Sequence, residues 1–274
     1  MIRLGRIGYV NCYPVYGAMD RGVVAAPATL VSGTPSELND RLADGRLDVS
    51  VISAVAYARR AAEYELLPDL AISSDGPVRS VLLFSRRPPE RLDGARVLVS
   101  TSSRTSVELL DVLARDHWRV ALDVASAPTE VGDLAGLAAA PHDGVLVIGD
   151  SALVLSARHA YPHVTDLGQA WKEWTGLPFV FAVWAARRAV DRQAVRDVHR
   201  ALLASRKWGL AHLGDLADRA SEATGVGLAA CREYLAGLDY GLSYRHLAGL
   251  TDFLRRLAAR GSVPDGTLSF LGAA

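Results

Sequence analysis

The chain has 274 residues, with 30 basic and 30 acidic side chains and a formal net charge of zero. Half of the residues are hydrophobic and 22% are charged, as in an ordinary globular protein. There is no basic surplus for nucleic acid, no run of like charge and no apolar stretch long enough for a membrane span.

The length suits one large domain or two lobes. The first predicted strand covers residues 6–10 and runs into Tyr9-Val10-Asn11-Cys12-Tyr13-Pro14. Pro14 bars it from continuing as a central ladder member. Asn11 therefore stands at a strand end. It either caps the turn through a local side-chain bond or points into a cleft and holds a ligand, with Tyr9 two residues earlier on the same face. A second strand is expected at 28–31. Thr34-Pro35-Ser36-Glu37 then reads as a helix start with a capping box and proline at the first helical position. Leu38 and Leu42 are the buried positions of that helix, which stops near Gly45. A short apolar strand at 48–53 ends on Ser53, which is either the cap of the next helix or a cleft residue.

The same grammar returns downstream. A strand at 96–100 leads into Thr101-Ser102-Ser103-Arg104-Thr105-Ser106, followed by a helix over 107–117. Hydroxyls, helix-start amides and a guanidinium suit a carboxylate, although a Ser/Thr-rich cap explains the same residues equally well. A strand at 143–148 leads through Gly149-Asp150 into a helix over 151–157. Asp150 is either an N-cap acid, the favoured reading, or a polar wall of a site. The pattern of 47–53 matches that of 142–148, which predicts two α/β lobes built alike. The apolar runs at 80–85 and 178–184 are expected to cross between them, with Ser80 at the mouth of the first. The expected division is 1–86 plus 187–274 for one lobe and 87–186 for the inserted lobe. Helices over 195–203, 213–223, 228–235 and 244–259 should pack on the first lobe. Small ligands bind in such interlobe clefts, beyond the carboxyl ends of strands.

No phosphate-binding GxxxxGK[ST], dinucleotide GxGxxG or GxSxG nucleophile elbow occurs. His159 and His163 are four apart, but Pro162 interrupts any helix that would align them on a metal. His117 reads as a cation at a helix C-terminus. Cys12 and Cys231 belong to no CxxC pair, so neither a zinc site nor a thioredoxin-type site is expected. A disulfide between them is left open and is not needed. Met1-Ile2-Arg3-Leu4-Gly5-Arg6 lacks the apolar core of a secretion signal, so the protein is expected to be cytoplasmic.

Six stretches, in this order, resemble the chorismate dehydratases of the futalosine route to menaquinone over nearly the whole chain. They are Tyr9-Val10-Asn11-Cys12-Tyr13-Pro14, Thr34-Pro35-Ser36-Glu37-Leu38-Asn39, Ser74-Asp75-Gly76-Pro77-Val78-Arg79-Ser80-Val81, Ser102-Ser103-Arg104-Thr105-Ser106, Ile148-Gly149-Asp150, and the run from Asp166 to Phe179 through Trp171-Lys172-Glu173-Trp174. The resemblance implies a two-lobed fold like that of type II periplasmic binding proteins. It implies conversion of chorismate to 3-[(1-carboxyvinyl)oxy]benzoate and water, without a cofactor or metal. The catalytic asparagine and serine of the family fall on Asn11 and Ser80. Tyr9, Ser53, Ser102, Ser103, Arg104, Thr105, Ser106, Gly149 and Asp150 are the expected substrate-binding residues. Two other readings share the fold: a sensor that binds a small carboxylate, and the later dihydroxynaphthoate-forming enzyme of the same route, whose chemistry calls for a base such as His near the cleft.

Overall fold

The computed structural model describes residues 1–272. In chain order, strands β1 (Ile2–Ile7), β2 (Ala28–Gly33), β3 (Val49–Ser53) and β4 (Tyr64–Ser74) belong to one sheet. Strands β5 (Val81–Ser85), β6 (Arg96–Ser100), β7 (Asp123–Ala127), β8 (Gly144–Ile148) and β9 (His163–Asp166) form a second sheet, and β10 (Phe179–Arg187) returns to the first. The first sheet has the order β2-β1-β3-β10-β4 and the second β7-β6-β8-β5-β9. The orders correspond position by position. In each sheet the first three strands are parallel, and the fourth is antiparallel to both of its neighbours. The internal match expected between 47–53 and 142–148 lands on β3 and β8, the middle strand of each sheet.

The crossings differ in detail from the expectation. The chain leaves the first sheet after Ser74, enters the second at Val81, leaves it after Asp166 and returns at Phe179. A boundary at residue 86 would assign β5 to the first lobe, yet β5 pairs with β8 and β9. Likewise β10, inside the expected insert, pairs with β3 and β4. Both runs are apolar on two faces because each is an interior strand of a five-stranded sheet, whereas the segments that pass between sheets are the more polar stretches just before them.

Helices flank both sheets: α1 (Tyr13–Asp20), α2 (Pro35–Ala43), α3 (Ala54–Arg59), α4 (Thr105–Val112), α5 (Leu134–Ala139), α6 (Gly149–Ala157) and α7 (Leu167–Thr175), then the tail α8 (Arg192–Ala211), α9 (Leu213–Thr224), α10 (Leu228–Gly237) and α11 (Tyr244–Ala259). The capping box forms as read. Glu37 N donates to Thr34 Oγ1 at 3.3 Å, Thr34 N donates to Glu37 Oε2 at 2.9 Å, and Leu38 and Leu42 are fully buried. The first strand stops at Ile7. Val10–Cys12 is a 3-10 turn, and Pro14 lies in the first turn of α1, where its missing N–H costs nothing. Strand β4 was not foreseen, because Pro68 and Asp69 interrupt its pattern. It is an edge strand, where proline is tolerated.

Side chains alternate across β5: Leu83 joins the main core and Leu82 and Phe84 a smaller cluster on the other face of the second sheet. The main core is continuous through both sheets, holding Val51 and Val183 of the first with Val97 and Val99 of the second. Helix α11 also reaches the second sheet's α4, with Arg260 Nη1 donating to Asp111 at 3.1 Å. Cys12 and Cys231 are buried free thiols. Among the described residues no helix is long and apolar enough to cross a membrane.

Candidate active site

The C-terminal ends of β1, β3, β6 and β8 converge on one cavity between the two sheets. From the first sheet come Tyr9 and Asn11 beyond β1, and Ser53 at the end of β3. The second sheet's side supplies Ser80 before β5, Ser103, Thr105 and Ser106 at the start of α4, and Gly149 beyond β8. Apolar walls come from Ile72, Val78 and Phe181. Four helices begin here: Pro35 opens α2, Ser53 caps α3, Thr105 opens α4 and Gly149 opens α6. Each helix start carries partial positive charge. What the described lining offers an anion is therefore helix starts rather than a cationic side chain. Neither a carboxylate nor a histidine lines the cavity among the described residues.

Asn11 sits in the 3-10 turn, and its Oδ1 is buried without a partner. A buried acceptor left unpaired costs about 1–3 kcal/mol, so this atom is poised for a ligand donor. Ser80 is 2% exposed, and its Oγ accepts a hydrogen bond from Tyr234 Oη at 2.8 Å. For Ser53 the two alternatives do not exclude each other. Its Oγ caps α3 by accepting from Ala56 N at 3.1 Å, and the residue lines the cavity. The buried Asn39 holds it in place, its Oδ1 accepting from Ser53 N at 3.0 Å.

Three of the expected residues have other occupations. Arg104 lies outside the lining and pairs with Asp40 of α2, bridging the sheets. The Ser102 hydroxyl donates to Glu130 Oε1 at 2.6 Å and also lies outside the lining. Asp150 accepts from Val10 N at 3.0 Å, again joining the two sides. Burial pushes the Asp150 carboxyl up to about 6, against the Val10 amide that lowers it and with the Glu130 charge adding to the rise. Within the hydroxyl turn, Ser103 Oγ accepts from Ser106 N at 3.1 Å, a local cap, while Thr105 Oγ1 accepts from Val55 N at 3.1 Å across the cleft. Both hydroxyls keep their own hydrogens to donate.

Tyr9 lines the cavity. Its hydroxyl donates to Glu130 Oε1 at 2.8 Å, and its ring lies against Gly149. Gly149 has φ +61°, and a Cβ there would stand 2.6 Å from Tyr9 Cδ2, so glycine answers both the backbone and the ring. Glu130, Asn39 and Tyr234 were missed in the sequence. Asn39 alone stood within a quoted motif.

A family model described as menaquinone biosynthesis matches residues 2–259. A chorismate dehydratase of Thermus thermophilus is 33% identical over 246 residues, covering 83% of this chain and 86% of that protein. A 1,4-dihydroxy-6-naphtoate synthase of the same organism is 29% identical over 229 residues, covering 79% and 77%. Among solved structures, the alkanesulfonate-binding protein SsuA of Xanthomonas axonopodis pv. citri has a TM-score of 0.71 at 16% identity, covering 97% of this chain and 95% of that one. The fold is that of the periplasmic binding proteins.

Proposed function

The chain belongs to the menaquinone-biosynthesis family, and we propose that its interlobe cleft dehydrates chorismate to 3-[(1-carboxyvinyl)oxy]benzoate and water. The observation that carries this reading is Asn11 Oδ1, buried and unpartnered on the wall of a cavity bounded by helix starts and hydroxyls. A dianion fits such a lining. Its carboxylates take the helix starts and the Ser103 and Thr105 hydroxyls. Ile72, Val78 and Phe181 offer its ring apolar walls. In this reading the lobes are the two sheets with their helices, divided at the links before β5 and β10.

The reaction breaks the C3–H and C4–O bonds of chorismate, and the C3–H electron pair becomes the third ring double bond. Aromatisation drives the step, so it asks for neither redox nor Lewis-acid chemistry, and the enzyme is a cofactor-independent lyase. The lining offers no side chain of base strength. The enolpyruvyl carboxylate of the substrate therefore takes the C3 proton and passes it to the departing hydroxide, which leaves as water. The protein holds the reactive conformer and the charge that develops on the leaving oxygen. Asn11 Oδ1 accepts the hydrogen of the C4 hydroxyl, and the Ser80 hydroxyl donates to its oxygen. The dihydroxynaphthoate-forming alternative is disfavoured because no histidine lines the cavity among the described residues.

Incubating the protein with chorismate and following the aromatic product by chromatography and ultraviolet absorbance tests the reading. Stoichiometric formation of the benzoate is expected. Tight binding of chorismate without turnover would identify a sensor instead.

A further inference from the structure

Tyr234 stands on α10, far along the chain from every residue of the cavity. Its side chain is 1% exposed, and it does not line the cavity. A buried tyrosine in a helical tail is ordinarily a core residue whose hydroxyl has found some partner. Here the partner is a residue of the site: Tyr234 Oη donates to Ser80 Oγ at 2.8 Å. Among the described residues the Ser80 hydroxyl has one other polar contact, the Val78 carbonyl at 3.5 Å, which is too long to fix its rotamer.

A serine hydroxyl has one hydrogen and two lone pairs. With one lone pair held by Tyr234, the hydroxyl cannot rotate freely, and its own hydrogen is left for a group in the cavity. Resting on the dehydratase reading, we propose that Tyr234 is a positioning residue: it donates to Ser80 from behind the cleft wall and so aims the Ser80 hydrogen at the departing C4 hydroxyl. It does this without touching the substrate. Burial holds the phenol far above its ordinary pKa, so it remains a donor throughout the working range. Donation from Tyr234 also polarises Ser80 and strengthens the bond that Ser80 makes in turn.

The test is a two-residue cycle in the full chain, with Tyr234→Phe, Ser80→Ala and the double variant assayed on chorismate and turnover scored per folded molecule by near-ultraviolet circular dichroism. Tyr234→Phe keeps the ring and removes one oxygen. Its kcat is expected to fall about ten- to thirtyfold, with KM changed less than about threefold and the pH profile unaltered in shape. Because Tyr234 acts through Ser80, the double variant should be no slower than Ser80→Ala alone. A merely structural tyrosine would instead slow both backgrounds by the same factor. Wild-type kcat in Tyr234→Phe, or multiplicative losses in the double variant, overturns the inference while leaving the dehydratase intact. A folded wild-type chain that leaves chorismate unchanged overturns the functional reading, and the inference with it.

Discussion

Asn11 and Asp150 are neighbours across the cleft with opposite roles. Asn11 keeps its carbonyl oxygen buried and unpaired, which lowers stability in the free protein and contributes only when a donor arrives. Replacing it with alanine removes an unsatisfied acceptor, so the melting temperature should move little. Turnover should fall about ten- to a hundredfold, the consequence of leaving the C4 hydroxyl hydrogen without its buried acceptor. Melting temperature and kcat measured on the same Asn11→Ala sample check this; a destabilised variant of normal kcat would make Asn11 a turn cap. Asp150 is a matter of pH. Its folded value of about 6 lies above the ordinary 3.8, so the folded chain holds this proton more tightly than the unfolded one does. The resulting stability is complete below the unfolded value and is lost as the pH rises through about 6, a change of about 3 kcal/mol. Asp150→Asn keeps an acceptor for the Val10 amide and abolishes the titration. Urea unfolding should show the variant more stable than wild type at pH 8 and equal to it at pH 4. Equal stabilities at both would remove Asp150 as a source of pH dependence.

Gly149, the first residue of α6, shows how an element's start can be tuned to a partner on the opposite lobe. Alanine there meets a left-handed backbone and the Tyr9 ring at once, at a cost of about 1–2 kcal/mol from the backbone alone. Gly149→Ala should therefore lower the melting temperature, displace Tyr9 from Glu130 and raise KM for chorismate. Adding Tyr9→Leu should recover part of the stability, and a Gly149→Ala protein with wild-type KM would separate Tyr9 from substrate capture. Elements with local signals could be read in the sequence. The Thr34–Glu37 capping box needs only residues three apart, and α8 to α11 carry a 3.6-residue apolar rhythm. Strand β4 escaped because Pro68 and Asp69 break its alternation, and the first strand, expected at 6–10, spans Ile2–Ile7 instead, because Val10, fully buried in a 3-10 turn, is indistinguishable by composition from a strand residue. Ser53 and Thr105 were legible as helix starts, and Asn11 as a polar residue that interrupts an apolar run. Glu130 and Tyr234 were not. Their roles come from partners 121 and 154 positions away in the chain, Tyr9 and Ser80, and no local pattern encodes that meeting.

Across the whole molecule, the two sheets repeat one topology, and each takes its fourth strand from a segment arriving from the other. Two links carry that exchange, and Asp166 ties them together. Its carboxylate accepts from Val78 N at 3.1 Å and Arg79 N at 2.6 Å in the first link, and from Gly168 N at 2.9 Å and Gln169 N at 3.1 Å in the second. Beside it, Trp171 of α7 is fully buried and packs edge-on against Phe179 of β10 and Phe253 of α11 at 5.3 and 5.9 Å. The links are therefore part of the core rather than loose tethers, and the main apolar cluster runs through both sheets without a break. Lobes joined in this way should unfold together, in one transition by both far- and near-ultraviolet circular dichroism. Asp166→Ala leaves four part-buried amides without their acceptor, each costing about 1–3 kcal/mol where water does not replace it, so a loss of about 3 kcal/mol or more is expected. The urea midpoint should fall while the transition stays single and its slope unchanged. If the variant instead unfolds in two steps, the lobes are independent folding units and Asp166 is the clasp between them, which would contradict the continuous core as the source of cooperativity.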